Sequence, residues 1–121
     1  LVHAVARIAL HGQIPNIQVS WVKMGRAGVE ACLSAGANDL GGTLMNESIS
    51  RAAGAQHGQE LPPAVMREWI HAAGRIPEQR NTLYGPVTAE RSKAAEHARP
   101  LNQIVLTPPR SRRTRQELHH V

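Results

Sequence analysis

Residues 16–25 read Asn-Ile-Gln-Val-Ser-Trp-Val-Lys-Met-Gly, and the fold turns on how this tract is read. Ile17, Val19 and Trp21 alternate with Gln18, Ser20 and Val22, a period of two rich in β-branched and aromatic side chains, which predicts a strand. Upstream, Val2, Val5, Ile8 and Ala9 fall at helical spacing with Arg7 and His11 outside the stripe. That predicts an amphipathic helix stopped by Gly12, and Pro15 then forces a turn. Downstream, helical spacing returns from Gly25 to Gly36 through Val29, Cys32 and Leu33, and Gly36 suits a left-handed cap.

The next stretch is short and can be strand or loop over 38–42. Thr43 then suits the start of a helix through Ile49, Ala52 and Ala53, closed by Gly54. After a polar loop, Pro62-Pro63 open a further helix carrying Val65, Met66, Trp69, Ile70 and Ala73 and ending at Gly74. Residues 79–84 predict a last short strand before Gly85-Pro86. Helices and strands in alternation imply crossover units and a parallel sheet. Three strands cannot close a barrel, and a full α/β barrel takes about 250 residues. Residues 1–85 are therefore expected to be the C-terminal strand–helix units of a larger α/β barrel, with a small self-contained α/β domain as the rival.

Composition narrows the class. The 121 residues carry 14 Lys and Arg against 9 Asp and Glu, a net charge of +5. Most of that excess lies beyond residue 85. Residues 86–121 contain one possible exposed helix, Ala89 to Arg99, then Pro100, Pro108-Pro109 and Arg110, Arg112, Arg113 and Arg115. Too few apolar groups remain there to offset ordering entropy, so a disordered basic tail is expected. The Arg cluster lacks interleaved aromatics, so a solvated tail is preferred to a nucleic-acid-binding one. The chain has no Phe, and Trp21, Trp69 and Tyr84 are its aromatics, so the core must be aliphatic. No apolar run approaches the ~18–20 residues of a membrane span. No secretory signal opens the sequence, and Leu1 rather than Met suggests a chain cut from something longer. A single cysteine, Cys32, excludes an internal disulfide framework and fits a reducing cytoplasm; it sits on an apolar stripe and is expected to be packed. Seven histidines show no metal-ligand spacing, and there is no HExxH, GxSxG, P-loop or GxGxxG.

The densest chemistry lies in Ala35-Gly-Ala-Asn-Asp-Leu-Gly-Gly-Thr-Leu-Met-Asn-Glu47. Glycines there let backbone approach a ligand, and Thr43 can cap a helix whose free N–H groups face it. In a barrel, ligands meet the C-terminal ends of strands. Asn38, Asp39, Thr43 and Glu47 are then candidates for ligand hydrogen bonds, although capping and turning alone account for the same residues. If Ile17, Val19 and Trp21 face outward, Gln18 and Ser20 face the interior and need partners, either ligand or each other. Arg80 shares a face with Thr82 and Tyr84. Turned inward it suits a carboxylate or phosphate, and turned outward it is a solvated charge.

The tract 16–25, the run 35–54 (Ala-Gly-Ala-Asn-Asp-Leu-Gly-Gly-Thr-Leu-Met-Asn-Glu-Ser-Ile-Ser-Arg-Ala-Ala-Gly) and Gln79-Arg-Asn-Thr-Leu-Tyr-Gly85 resemble the FO synthase family, in the C-terminal part of its second subunit or second half. A weaker likeness runs to the radical enzymes of the futalosine route to menaquinone. The resemblance covers about residues 1–85. It implies a radical S-adenosylmethionine (SAM) barrel with a [4Fe-4S] cluster. The implied reaction joins a tyrosine-derived 4-hydroxybenzyl group to 5-amino-6-ribitylaminouracil in deazaflavin coenzyme biosynthesis. On this resemblance Gln18, Ser20, Asn38, Asp39, Thr43, Glu47 and Arg80 line the mouth where SAM and substrate meet. The cluster motif CxxxCxxC is absent, and Asn46-Glu47 stands where the family usually has two acids. The chain alone is expected to be inactive, with the remainder of the barrel supplied in cis or trans. A non-catalytic binding or assembly module is the alternative. Neither a membrane nor a nucleic acid is an expected partner.

Overall fold

The computed structural model describes residues 1–43 and 49–99. These form α1 (Val2–Ala9), α2 (Trp21–Ser34), α3 (Ile49–Ala52), α4 (Pro63–Ala72) and α5 (Ala89–Glu96). Glu47 and the Arg110–Arg115 cluster lie outside the described residues, as does the backbone that Thr43 was expected to cap.

The helix stops follow the glycines. Past α2, Gly36 takes φ 104°, Ala37 N–H donates to Cys32 O at 2.9 Å and Gly36 N–H to Leu33 O at 3.2 Å. The same paired closure recurs after α4, where Gly74 has φ 69° and Arg75 N–H reaches Ile70 O at 3.0 Å. Both are left-handed caps that satisfy otherwise orphan carbonyls. Pro63 occupies the first turn of α4, where its missing N–H costs nothing.

The three-strand expectation is not met among the described residues, which contain two isolated bridges and no extended ladder. In the deciding tract only Gln18 pairs, in parallel with Asp39, and the chain is helical from Trp21 onward. Val19, Trp21 and Val22 are all buried, and Val22, Gly25, Val29, Cys32 and Leu33 continue inward at spacings of three, four, three and one. Burial of both Trp21 and Val22 fits a helical face and breaks the period of two. Gln18 and Ser20 are exposed in the described structure, on either side of the buried Val19. Gly25 interrupts α2 with φ 60° and ψ −175°. A Cβ at Gly25 would run into the His57 ring, so close approach and positive φ both demand glycine.

The second corrected strand is 79–84. Arg80 makes one antiparallel bridge to Pro86, and the chain between them is a closed turn. Asn81 N–H donates to Gly85 O at 2.9 Å, while Asn81 Oδ1 accepts from Leu83 N–H at 2.8 Å and Gly85 N–H at 3.0 Å. An Asn side chain that satisfies local backbone competes directly with a ladder, and here it wins. Tyr84 follows at φ 61°, a left-handed conformation rare for an aromatic residue.

The core comprises Val19, Trp21, Val22, Val29, Cys32, Leu33, Ala37, Leu40 and Leu61, with Val65, Met66, Trp69, Ile70 and Ala73 of α4 packed against it. It is mostly aliphatic, as the composition requires. Trp21 buries its ring and donates Nε1–H to Gly42 O at 2.9 Å. On the outside, Arg26 pairs with Glu30 and Glu68, both at 3.0 Å, and Arg67 with Glu96 at 2.8 Å, tying α2 to α4 and α4 to α5. Such exposed pairs contribute little each. Among the described residues no helix is long and apolar enough to cross a membrane.

α1 sits with its polar side against the body. Arg7 Nε donates to Gly36 O at 2.8 Å and Nη1 to Pro15 O at 2.9 Å, and His3 Nδ1 lies 3.6 Å from Cys32 Sγ. The apolar stripe faces solvent instead: Val2 is 78 %, Val5 53 % and Ile8 79 % exposed.

Candidate functional site

Two extended segments set up the site. Asn38 N–H donates to Ile17 O at 3.0 Å and Val19 N–H to Asp39 O at 2.8 Å, placing 17–19 beside 38–40 in parallel. The Asn38 side chain locks this register. Its Oδ1 accepts from Ile17 N–H at 2.8 Å and from Arg7 Nη2 at 2.9 Å, while Nδ2 donates to Asn16 Oδ1 at 3.1 Å and Pro15 O at 3.4 Å. An amide has two donor hydrogens and two acceptor lone pairs, so the capacity of Asn38 is filled by the protein.

Past this register the chain turns through Gly41 at φ 75°. Asp39 Oδ1 accepts from the Gly41 N–H at 3.0 Å, and the Gln18 side-chain amide lies where a Cβ on Gly41 would be. Asp39 is buried and meets Arg80 in a two-pronged pair, with Nη2 to Oδ2 at 2.6 Å and Nε to Oδ1 at 3.2 Å. The Tyr84 hydroxyl donates to Asp39 Oδ2 at 3.3 Å, and the Arg80 guanidinium lies 4.2 Å from the centroid of the Tyr84 ring. Arg80 Nη1 also donates to Asn81 O at 3.0 Å, which fastens the 80–86 turn onto Asp39.

Burial pushes the Asp39 carboxyl up, but donation from Arg80, the Gly41 amide and Tyr84, with the charge of Arg80, outweighs it and holds the group below 3.8. Arg80 is raised in turn, first by its hydrogen bond to Asp39. Asp39 is thus an ionised carboxylate, its charge met by Arg80. Its chemical effect is to aim Arg80. Three of the five guanidinium N–H groups are engaged by Asp39 and Asn81, which leaves donors for an incoming carboxylate, phosphate or carbonyl.

The pair borders an open cleft of about 1100 Å³ whose wall includes Gln18, Gly41, Thr43, Arg75, Arg80 and Tyr84. The structure therefore brings together Asp39 and Arg80, with Gln18 and Thr43 on the same wall. Ser20 stands apart as the exposed residue preceding α2. Two participants escaped sequence reading as site residues. Arg7 falls outside the apolar stripe in the sequence, and no local signal shows that it reaches Asn38. Tyr84 was legible only as sharing a face with Arg80, although Asn81 and Gly85 beside it announce the turn that brings it round.

A [4Fe-4S] cluster does not fit these residues. Its cage needs several thiolates, whereas the chain has one cysteine, buried in the core. Among the described residues no three His, Cys, Asp or Glu side chains are grouped to hold a metal ion.

The described residues form an open cleft and leave the apolar face of α1 bare. The family model described as CofH/MqnC C-terminal region matches residues 1–93, and the chain belongs to that family. It is 57 % identical over 84 residues to a 5-amino-6-(D-ribitylamino)uracil–L-tyrosine 4-hydroxyphenyl transferase of Archaeoglobus fulgidus, covering 69 % of this chain and 24 % of the relative. The corresponding transferase of Methanopyrus kandleri is 59 % identical over 87 residues, covering 72 % and 24 %. An FO synthase of Nocardia farcinica is 56 % identical over 85 residues, covering 70 % and 10 %. The chain thus spans about a quarter or less of the curated relatives it matches. No solved structure matches.

Proposed function

We propose that this chain is the C-terminal part of an FO-synthase-type radical SAM barrel, in which the cleft beside Asp39 and Arg80 is a wall of the chamber that receives SAM and substrate. The reaction is transfer of the tyrosine-derived hydroxybenzyl group to 5-amino-6-ribitylaminouracil. The observation that carries this reading is the Asp39–Arg80 pair, set at the end of two parallel segments, on an open cleft, inside the family region. Tyrosine carries a carboxylate, and the pyrimidine carries carbonyls; an Arg held rigid by Asp39 and Tyr84 suits either. Gln18 and Thr43 supply further polar groups on that wall. Asn38 lines the same cleft, and its side-chain amide holds the register of the two segments. Since the iron–sulfur ligands are not in this chain, the [4Fe-4S] cluster and the reductive chemistry belong to the rest of the barrel, and this chain alone is inactive.

The test is a chimera in which residues 1–93 replace the corresponding region of the Archaeoglobus relative, assayed for transferase product. Activity is expected, with a fall of about 10²-fold or more for Arg80→Ala and partial retention for Arg80→Gln. An inactive chimera that folds and carries its cluster would remove the reading, and so would full activity in Arg80→Ala.

A further inference from the structure

α1 is amphipathic in the wrong sense for a free-standing domain. Leu1, Val2, Val5 and Ile8 form a contiguous exposed apolar strip, while Arg7 and His3 point at the body. The helix cannot simply roll over to bury the strip. Arg7 makes three hydrogen bonds to Gly36, Pro15 and Asn38, and its stem fills the space that a Cβ on Gly36 would take. Rolling would break these bonds and release the register of the 16–19 and 38–40 segments. Scattered surface apolar residues need no explanation, but three on one helix face, with Leu1 just before them, call for a covering surface.

Resting on the functional reading above, we infer that the exposed face of α1 is the docking surface for the polypeptide that precedes the family region in its relatives, and that Val5 and Ile8 are its anchors. Two observations choose this occupant. The matched region is the C-terminal one and amounts to 24 % of the Archaeoglobus and Methanopyrus relatives, so about three-quarters of each lies outside it and can cover the strip. A second copy is a poor alternative. An eight-residue helix is about 12 Å long. Two of them face to face bury on the order of a few hundred Å², short of the ~1,200 Å² of a stable interface. Covalent continuity in the relatives removes that shortfall, because closure is then intramolecular.

The probe is the N-terminal polypeptide of the Archaeoglobus relative, up to the start of its matched region, mixed with the 121-residue chain and followed by sedimentation and titration calorimetry. A heterodimer is expected, weakened about tenfold or more by Val5→Asp or Ile8→Asp, which place a charge in an apolar contact. Arg91→Glu, on exposed α5, is expected to leave affinity within about threefold. Undiminished binding by both α1 variants overturns the inference, as does self-association through α1 without heterodimer formation. If the N-terminal polypeptide does not stay soluble, the chimera described above is melted instead. Val5→Asp and Ile8→Asp must lower its midpoint while leaving the melting of the 121-residue chain unchanged, and equal midpoints overturn the inference. Neither readout uses turnover, so a chimera that is inactive yet sensitive at Val5 and Ile8 removes the functional reading and sustains the docking surface.

Discussion

At residue scale the Asp39–Arg80–Tyr84 cluster sets the pH behaviour. The depressed carboxyl of Asp39 contributes stability that is present above its unfolded value near 3.8 and is lost as pH falls through its lower folded value. Removing the guanidinium leaves burial to dominate. Arg80→Ala is therefore expected to lower stability by about 2 kcal/mol at neutral pH, because it strands a buried carboxylate. It should also move the acid-unfolding midpoint to higher pH. Urea titrations at pH 7 and at a series of acid pH values check both, and an unchanged midpoint would mean the pair does not hold the turn. Gly25 supplies a second test. Gly25→Ala meets both a positive φ and the His57 ring, and should cost more than the ~1–2 kcal/mol of the backbone conformation alone. His57→Ala in the same chain should recover only the steric part, a difference a double-mutant cycle resolves.

At the scale of elements, α2 and α1 make opposite predictions for similar chemistry. Val29 is wholly buried in α2, so Val29→Ala should cost about 2 kcal/mol in a denaturant melt. Val5→Ala on the bare face of α1 should stay within about 0.5 kcal/mol. In α5, Thr88 Oγ1 accepts from Arg91 N–H at 3.3 Å, and the helix otherwise has no buried residue. Thr88→Ala should therefore remove about 1 kcal/mol from a helix with little else to hold it, visible as faster amide exchange over 91–96.

For the molecule as a whole, the core of nine buried apolar residues among the described ones runs from Val19 to Leu61, with α4 laid over it. Native-state hydrogen exchange should find the highest protection in the Arg26–Ser34 stretch of α2 and the lowest in α1 and α5. Protection of α1 equal to that of α2 in the lone chain would contradict its exposed face. The start of α4 and the ends of α2 and α4 were legible in advance because the signals are local: Pro63 starts α4, and Gly36 and Gly74 stop α2 and α4 through a conformation other residues resist. The strands were misread for a physical reason. A six-residue alternating tract holds too few positions to separate a period of two from a helical face, and only the burial of Val22 beside Trp21 decides it. At 79–84 the side chain of Asn81 took over backbone bonds that a ladder needed.

Chemistry set one residue at a time was within reach of the sequence: family membership, an aliphatic core, too few thiols for an iron–sulfur cage, and Asp39 and Arg80 as groups worth watching. Their pairing belongs to the tertiary structure, because they are 41 residues apart and meet only when the 80–86 turn folds back over the Gly41 bend. The orientation of α1 is a tertiary fact as well. Amphipathic spacing says that a helix has two faces, but three hydrogen bonds from Arg7 to distant backbone and side-chain oxygens decide which one is inside. Local periodicity cannot encode such a choice, since the energies that settle it exist only between segments far apart along the chain.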